Sequence, residues 1–217
     1  MDRTTSGSTT SPMPAAGDRT GIGVLPDGPE AYRYLVRYHT STDMTPDEIH
    51  ALGLREVERI SREMESVKHQ LGFTGDLRSF LDHVRSSAAQ MPFTAPEQVI
   101  ANFEAMHATM RPHLGRLFGA QPKAGFEIRR TESFREASAS AEYVPGSKDG
   151  SRPGVFYVPI PDVLRYNKYS DESLFLHEAI PGHHYQLSLQ QENTGLPQFL
   201  HAEGVGVFVE GWALYAE

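Results

Sequence analysis

Residues 176–186 read LHEAIPGHHYQ. A His-Glu pair followed by further histidines holds the donor types of a zinc hydrolase, in which imidazoles hold an ion and a neighbouring carboxylate takes a proton from water. The spacing, however, is not H-E-x-x-H. On an unbroken helix of about 3.6 residues per turn, His177 and His183 fall on nearly opposite faces. His177 and His184 share a face but stand about 10 Å apart along the axis, too far for two bonds of roughly 2 Å to one ion. Pro181-Gly182 resolves the conflict. Proline deletes a helix hydrogen bond and glycine tolerates almost any dihedral, so a local bulge can absorb extra residues. Absorbing two brings His183 to the second ligand position, and absorbing three brings His184. His183 is the leading candidate and His184 the reserve.

A third ligand must come from another element. The segment HAEGVGVFVEGWALYAE at 201–217 spaces Glu203, Glu210 and Glu217 seven residues apart, a single stripe on a helix. Val207, Phe208, Val209, Trp212, Leu214 and Tyr215 surround the latter two, so the helix is expected to be buried. A buried carboxylate needs a partner that offsets its desolvation, and Glu210, deepest in the apolar stretch, is the candidate ligand. Glu203 suits the positive end of the helix dipole, Glu217 suits a role behind a histidine ligand, and His201 reads as a loop residue.

Composition narrows the chemistry. The chain has 217 residues, with 28 acidic and 20 basic side chains and a net charge of −8, which argues against a nucleic-acid or anionic-membrane surface. There is no cysteine, so any metal must rest on histidine and carboxylate. The opening MDRTTSGSTTSPMPAAGDRTG lacks the apolar core of a secretory signal, and no apolar run reaches the ~18 residues of a membrane span. A cytoplasmic location is expected for the chain as written.

The elements that must position these residues are mainly α with a small β-sheet. Residues 1–27, rich in Ser, Thr, Gly and Pro, read as a disordered tail or linker, and 28–217 as part of one mostly helical domain. A first helix is expected from about Glu30 to Tyr38. A second starts at Thr45-Pro46-Asp47-Glu48, a capping box with proline at the first helical position. It carries Val57, Ile60, Met64, Val67 and Leu71 on one stripe and ends near Gly72. A short helix holds Leu77 to Val84. Thr94-Ala95-Pro96-Glu97 opens another with Ile100, Phe103, Met106, Met110 and Leu114, which Pro112 should kink or shorten.

Period-two patterns follow over about 125–160: Phe126 and Ile128, then Ala139, Ala141 and Tyr143, then Val155 and Tyr157, which predict two or three short strands. The turn at 145–154 reads as a hairpin connection. A strand just before a zinc helix could also take up an extended peptide at a sheet edge, with Arg152 meeting a carboxylate and Tyr157 beside it. Metal-site helices are expected at about 170–193, capped by Ser170 with Asp171 and Glu172 at its positive end, and at about 204–217.

At YVPGSKDGSRPGVFYV (143–158), LHEAIPGHHYQ (176–186) and FVEGWALYAE (208–217) the sequence resembles the bacterial family called domain of unknown function 885. LPDGPEAYRYLVRYHT (25–40) and TPDEIHALGLREVERI (45–60) support the likeness. The family is similar to mostly helical gluzincin-type metallopeptidases, so the resemblance implies a zincin-like core. It also implies one zinc ion on His177, on His183 or His184, and on Glu210, with Glu178 as general base and Glu217 behind a ligand. It implies a peptide substrate as well. Family members extend beyond both ends of the matched region, so the chain resembles a central fragment, expected to be incomplete at the C-terminus, to bind zinc weakly and to be poorly active by itself. Two rivals use the same residues. A closed four-ligand metal staple in an interaction module would engage both His183 and His184, and a two-His-one-carboxylate iron site would leave Glu178 without a task.

Overall fold

The computed structural model describes residues 21–202 and 205–217. Most of the expected tail, and Glu203, lie outside the described residues. The described residues divide into two compact units, on either side of the Leu52–Gly53 bond. The boundary falls within a helix.

In the first unit, α1 (Gly28–Thr40) is entered through Asp27 and left through Ser41, both with left-handed backbone. α2 (Pro46–Gln70) starts as its sequence requires. The Glu48 amide donates to Thr45 Oγ1 at 3.2 Å, while Thr45 donates its own amide to Glu48 Oε2 at 2.8 Å, a capping box. The helix stops at Gln70, with Gly72 at φ 71°, where only glycine is free of a Cβ penalty. Its apolar stripe behaves otherwise than the pattern suggests: Val57, Ile60, Met64, Val67 and Leu71 are all exposed.

The second unit is organised around a small sheet and the helices beside it. α3 (Leu77–Ser86) is capped by Asp76, which accepts from the Ser79 amide at 2.7 Å. α4 (Pro96–Leu117) continues past Pro112 as one helix, so of the expected kink or shortening the shortening does not occur. Its cap is also reassigned. Gln98 accepts from the amides of Thr94 and Ala95, so Gln98, and not Glu97, closes the first turn.

Strands β1 (Phe126–Arg130), β2 (Glu142–Val144) and β3 (Gly154–Val158) form one sheet in the order β1-β3-β2. β1 runs parallel and β2 antiparallel to β3. Ile128, Phe156 and Tyr143 lie in one row across the sheet, and Phe156 meets Phe103 of α4 edge to face at 5.2 Å. The parity read from Val155 and Tyr157 thus marks the other face. β3 is buried over most of its length, so its two faces carry little contrast to read.

The strand expected to accept a peptide at the sheet edge is β3, and this is corrected: β3 is paired on both sides. Edge positions belong to β1 and β2.

The core gathers Val99, Phe103, Leu114, Phe156, Val158, Ile160, Phe175, Ala179, Ile180 and Tyr185. Two buried carboxylates pin the segment after β3. Glu136 takes a two-point bond from Arg130 and a third from the Ile160 amide at 2.6 Å, and the Arg130 guanidinium holds its carboxyl below the usual range. Asp171 opens α5 (Asp171–Glu178). Sequence assigned it to the helix dipole, but it is buried and accepts from Asn102 of α4 and from the Tyr166 hydroxyl, each at 2.9 Å.

Burial pushes the Asp171 carboxyl up to about 6, against the pull of those two donors. A carboxyl raised above its unfolded value binds its proton more tightly in the folded state. Its contribution to stability is complete below about pH 4, the unfolded value, and is lost as pH rises through about 6. Asp171→Asn, with the Asn102 amide turned to match, should remove this component. Melting temperatures measured from pH 4 to 7.5 should show wild type losing ground to the variant across that window, and a constant difference between the two would refute the assignment.

Candidate metal centre

α5 ends at Glu178, α6 (His183–Glu192) begins at His183, and the interruption falls on Ala179-Ile180-Pro181-Gly182. At Gly182 the chain passes so close to the preceding turn that a Cβ would overlap the carbonyl oxygens of His177 and Leu176. The turn therefore requires glycine for close approach, and its φ is an ordinary −73°. The break re-aims α6 so that the His177 and His183 rings lie 4.7 Å apart, edge to face.

The third member comes from α8 (Gly206–Ala216), which follows the short α7 (Phe199–Ala202). Glu210 Oε2 lies 3.6 Å from His177 Nε2 and 3.6 Å from His183 Nε2. One ligand atom from each of His177, His183 and Glu210 falls within 4.8 Å of the others. Tetrahedral bonds of about 2.1 Å would put neighbouring donor atoms about 3.4 Å apart, so the group fits a small divalent ion with little adjustment.

Burial and the nearby His177 both lower the pKa of His183, against the pull of Glu210, which favours the neutral imidazole a metal requires. Glu217 Oε1 lies 2.7 Å from His177 Nδ1. A carboxylate there holds the Nδ1–H tautomer and leaves Nε2 free to face the centre. His183 Nδ1 is buried without a hydrogen-bond partner among the described residues.

Glu210 reaches this position by a route the sequence did not indicate. α8 was expected to be buried, yet Val207, Phe208, Leu214 and Tyr215 are exposed, only Ala213 is buried, and the Glu210 side chain itself is 67% exposed. Two polar bonds tie the helix down. Trp212 Nε1 donates to the Pro181 carbonyl at 2.7 Å, so the indole locks α8 onto the break itself. Gln186 Nε2 of α6 donates to the Phe208 carbonyl at 3.3 Å. The chain's one tryptophan was read only as apolar bulk. Its N–H, which needs a partner when the ring packs, was the available signal.

His184, the reserve, points elsewhere. Its Nδ1 lies 2.9 Å from the Tyr143 hydroxyl and 3.3 Å from Ser188 Oγ, and its ring packs on Phe126 at 4.5 Å. Burial, helped by His107, pushes its pKa down to about 4, so it sits in the core as a neutral, hydrogen-bonded histidine.

Glu178 is buried, and that burial pushes its carboxyl up to about 7, with the charges of Glu210 and Glu142 adding to the rise and His177 and the Tyr143 amide opposing it. Tyr143, which sequence placed only as a strand residue, meets His184 through its hydroxyl. Arg152 donates to the Pro145 carbonyl at 2.8 Å within its own loop. Tyr157 lies under the Arg135 guanidinium at 5.1 Å. Neither joins the His-His-Glu group.

Gly182→Ala tests how far the centre depends on the break. It should cost on the order of 4 kcal/mol or more in denaturant unfolding, because backbone and not a flexible side chain must move. Near wild-type stability would contradict the close approach described.

No helix among the described residues is long and apolar enough to cross a membrane. Among curated proteins none matches this sequence. The fold is similar to that in a crystal structure from Colwellia psychrerythraea described as a "putative lipoprotein", with a TM-score of 0.86 at 24% identity. The likeness covers 90% of this chain and 34% of that one, so the chain spans about a third of its solved neighbour. A family model described as bacterial protein of unknown function (DUF885) matches residues 3–217, and the chain belongs to that family.

Proposed function

We propose that the chain carries the metal centre of a zinc-dependent peptide hydrolase with a zincin-like core. The observation that supports this is the meeting of His177 Nε2, His183 Nε2 and Glu210 Oε2 beside a buried glutamate. A zinc ion held by these three would polarise a substrate carbonyl and lower the pKa of water to about 7.

The chain's own residues supply the proton handling. With its carboxyl raised to about 7, Glu178 can take a proton from the attacking water and return it to the leaving amine near neutral pH. Glu217 keeps His177 in one tautomer and orientation. β2, an edge strand, is the strand that would align an extended peptide by strand addition. Three donors among the described residues, with His184 engaged elsewhere, favour an open coordination position over a closed staple.

Calorimetric zinc titration and a quenched-fluorescent peptide assay test this together. Glu178→Gln should keep zinc affinity and lose zinc-dependent hydrolysis by about 10²–10⁴-fold; turnover surviving in it would exclude Glu178 as base. His183→Ala and Glu210→Gln should lose tight zinc binding, while Glu217→Gln should weaken it by about 10–100-fold. Iron in place of zinc in protein purified without added metal would move the reading to two-His-one-carboxylate chemistry.

A further inference from the structure

The two histidines of the centre are oriented unequally. His177 has Glu217 Oε1 at 2.7 Å from its Nδ1, whereas His183 Nδ1 is buried with no hydrogen-bond partner among the described residues. A ligand imidazole is ordinarily aimed by a bond to its second nitrogen. For His183 the aim comes instead from its backbone, and so from the rotation of α6 about its own axis. The interruption at Ala179-Ile180-Pro181-Gly182 separates α6 from the helical run of α5, so α5 alone does not set that rotation. His184, the next residue, stands about 100° around the helix from His183 and carries the contacts that can. Its ring is tied to α6 by Ser188 Oγ, one turn on and 3.3 Å from Nδ1. It is tied to the sheet by the Tyr143 hydroxyl of β2, 2.9 Å from the same nitrogen, and by Phe126 of β1, with 4.5 Å between ring centres. Room for Tyr143 is built into β3. At Gly154 a Cβ would overlap the Tyr143 ring and its hydroxyl oxygen, the kind of close approach that places glycine inside a strand.

We propose that Tyr143 and His184 are positioning residues for His183: together they fix the rotation of α6, and so the direction in which His183 Nε2 faces. The proposal rests on the reading of His183 as a metal ligand. Neither Tyr143 nor His184 belongs to the His-His-Glu group. Ser188 makes the His184 ring move with its helix, and Tyr143 and Phe126 decide where that ring sits, so the sheet sets the helix. Rotating α6 by a fraction of a turn would pull the buried His184 ring off both strands. The adjacent histidines then divide the work, one facing the ion and one holding the helix that aims it.

The test reads the centre in two ways, zinc affinity by calorimetry and the His183 ring resonances of the metal-free chain by NMR, assigned with His183→Gln. Tyr143→Phe removes a single oxygen atom. It should weaken zinc binding about tenfold and move the His183 resonances before any metal is added. Ser188→Ala should act in the same direction, and the combined loss should fall short of the product of the two separate factors, since both act through one ring. Asp76→Ala removes the cap of α3 and destabilises the fold away from the centre, so it should change neither readout. Wild-type zinc affinity or unmoved His183 resonances in Tyr143→Phe, or an equal loss in Asp76→Ala, would overturn the proposal. A wild-type chain that takes up no zinc would instead overturn the ligand reading, and the metal-free resonances would still decide whether Tyr143 and His184 aim His183.

Discussion

The centre depends on one backbone constraint, the close passage of Gly182 against the carbonyls of His177 and Leu176. A continuous helix would send His177 and His183 to different faces. Interrupting it converts a six-residue spacing into a ring-to-ring approach, while Ala179 and Ile180 drop into the core and keep the interruption rigid. The Pro181 carbonyl, freed from helix bonding, accepts the Trp212 indole N–H. A single irregularity therefore aims both histidines and also anchors the helix that brings Glu210.

Around that point the polar groups divide by environment. The carboxylates that pin the scaffold are satisfied by several donors: Glu136 by Arg130 and a backbone amide, Asp171 by Asn102 and Tyr166. Glu178 is comparably buried, but the donors near it are too few to offset desolvation, and its carboxyl is raised to about 7. The contrast is physically informative. Buried acids whose lone pairs are filled hold a structure together, whereas one left under-satisfied is suited to carry a proton. That Asp171 is also raised, with two donors in place, shows that a pKa shift alone does not separate the two roles. Position beside the His-His-Glu group does.

Much of this was legible in the residues. Capping chemistry is local, so Thr45 to Glu48 declared its helix start, and Gly72 its end. The pairing of His177 with His183 followed from helix geometry plus one assumption about Pro181-Gly182. What local chemistry cannot carry was misread. The α2 stripe has a helical period whether or not anything covers it, and the position of Val57 to Leu71 in solvent is a fact about neighbours. Period-two reading found β3 but not which of its faces meets α4, because β3 is buried over most of its length. Glu210 was selected for a burial it does not have; the seven-residue spacing from Glu217 was the sounder signal, since it put both acids on the stripe that faces His177. His201, read as a loop residue, lies in the short helix α7, a turn too brief to leave a period in the sequence.

The exposure of α8 bears on how the centre would work. A helix with one buried residue gains little from apolar burial, and its position rests on the Trp212 and Gln186 bonds and on the contact between Glu217 and His177. Each of these is a polar contact of modest net stabilisation. A ligand joining His177 of α5, His183 of α6 and Glu210 of α8 would bridge three elements of which one is weakly held. Part of its binding free energy would then go into ordering α8, as expected where metal sites and local folding are linked. The geometry of the centre and the stability of α8 are for this reason one thermodynamic quantity and not two, and anything that packs on the exposed face of α8 would raise metal affinity without touching a ligand.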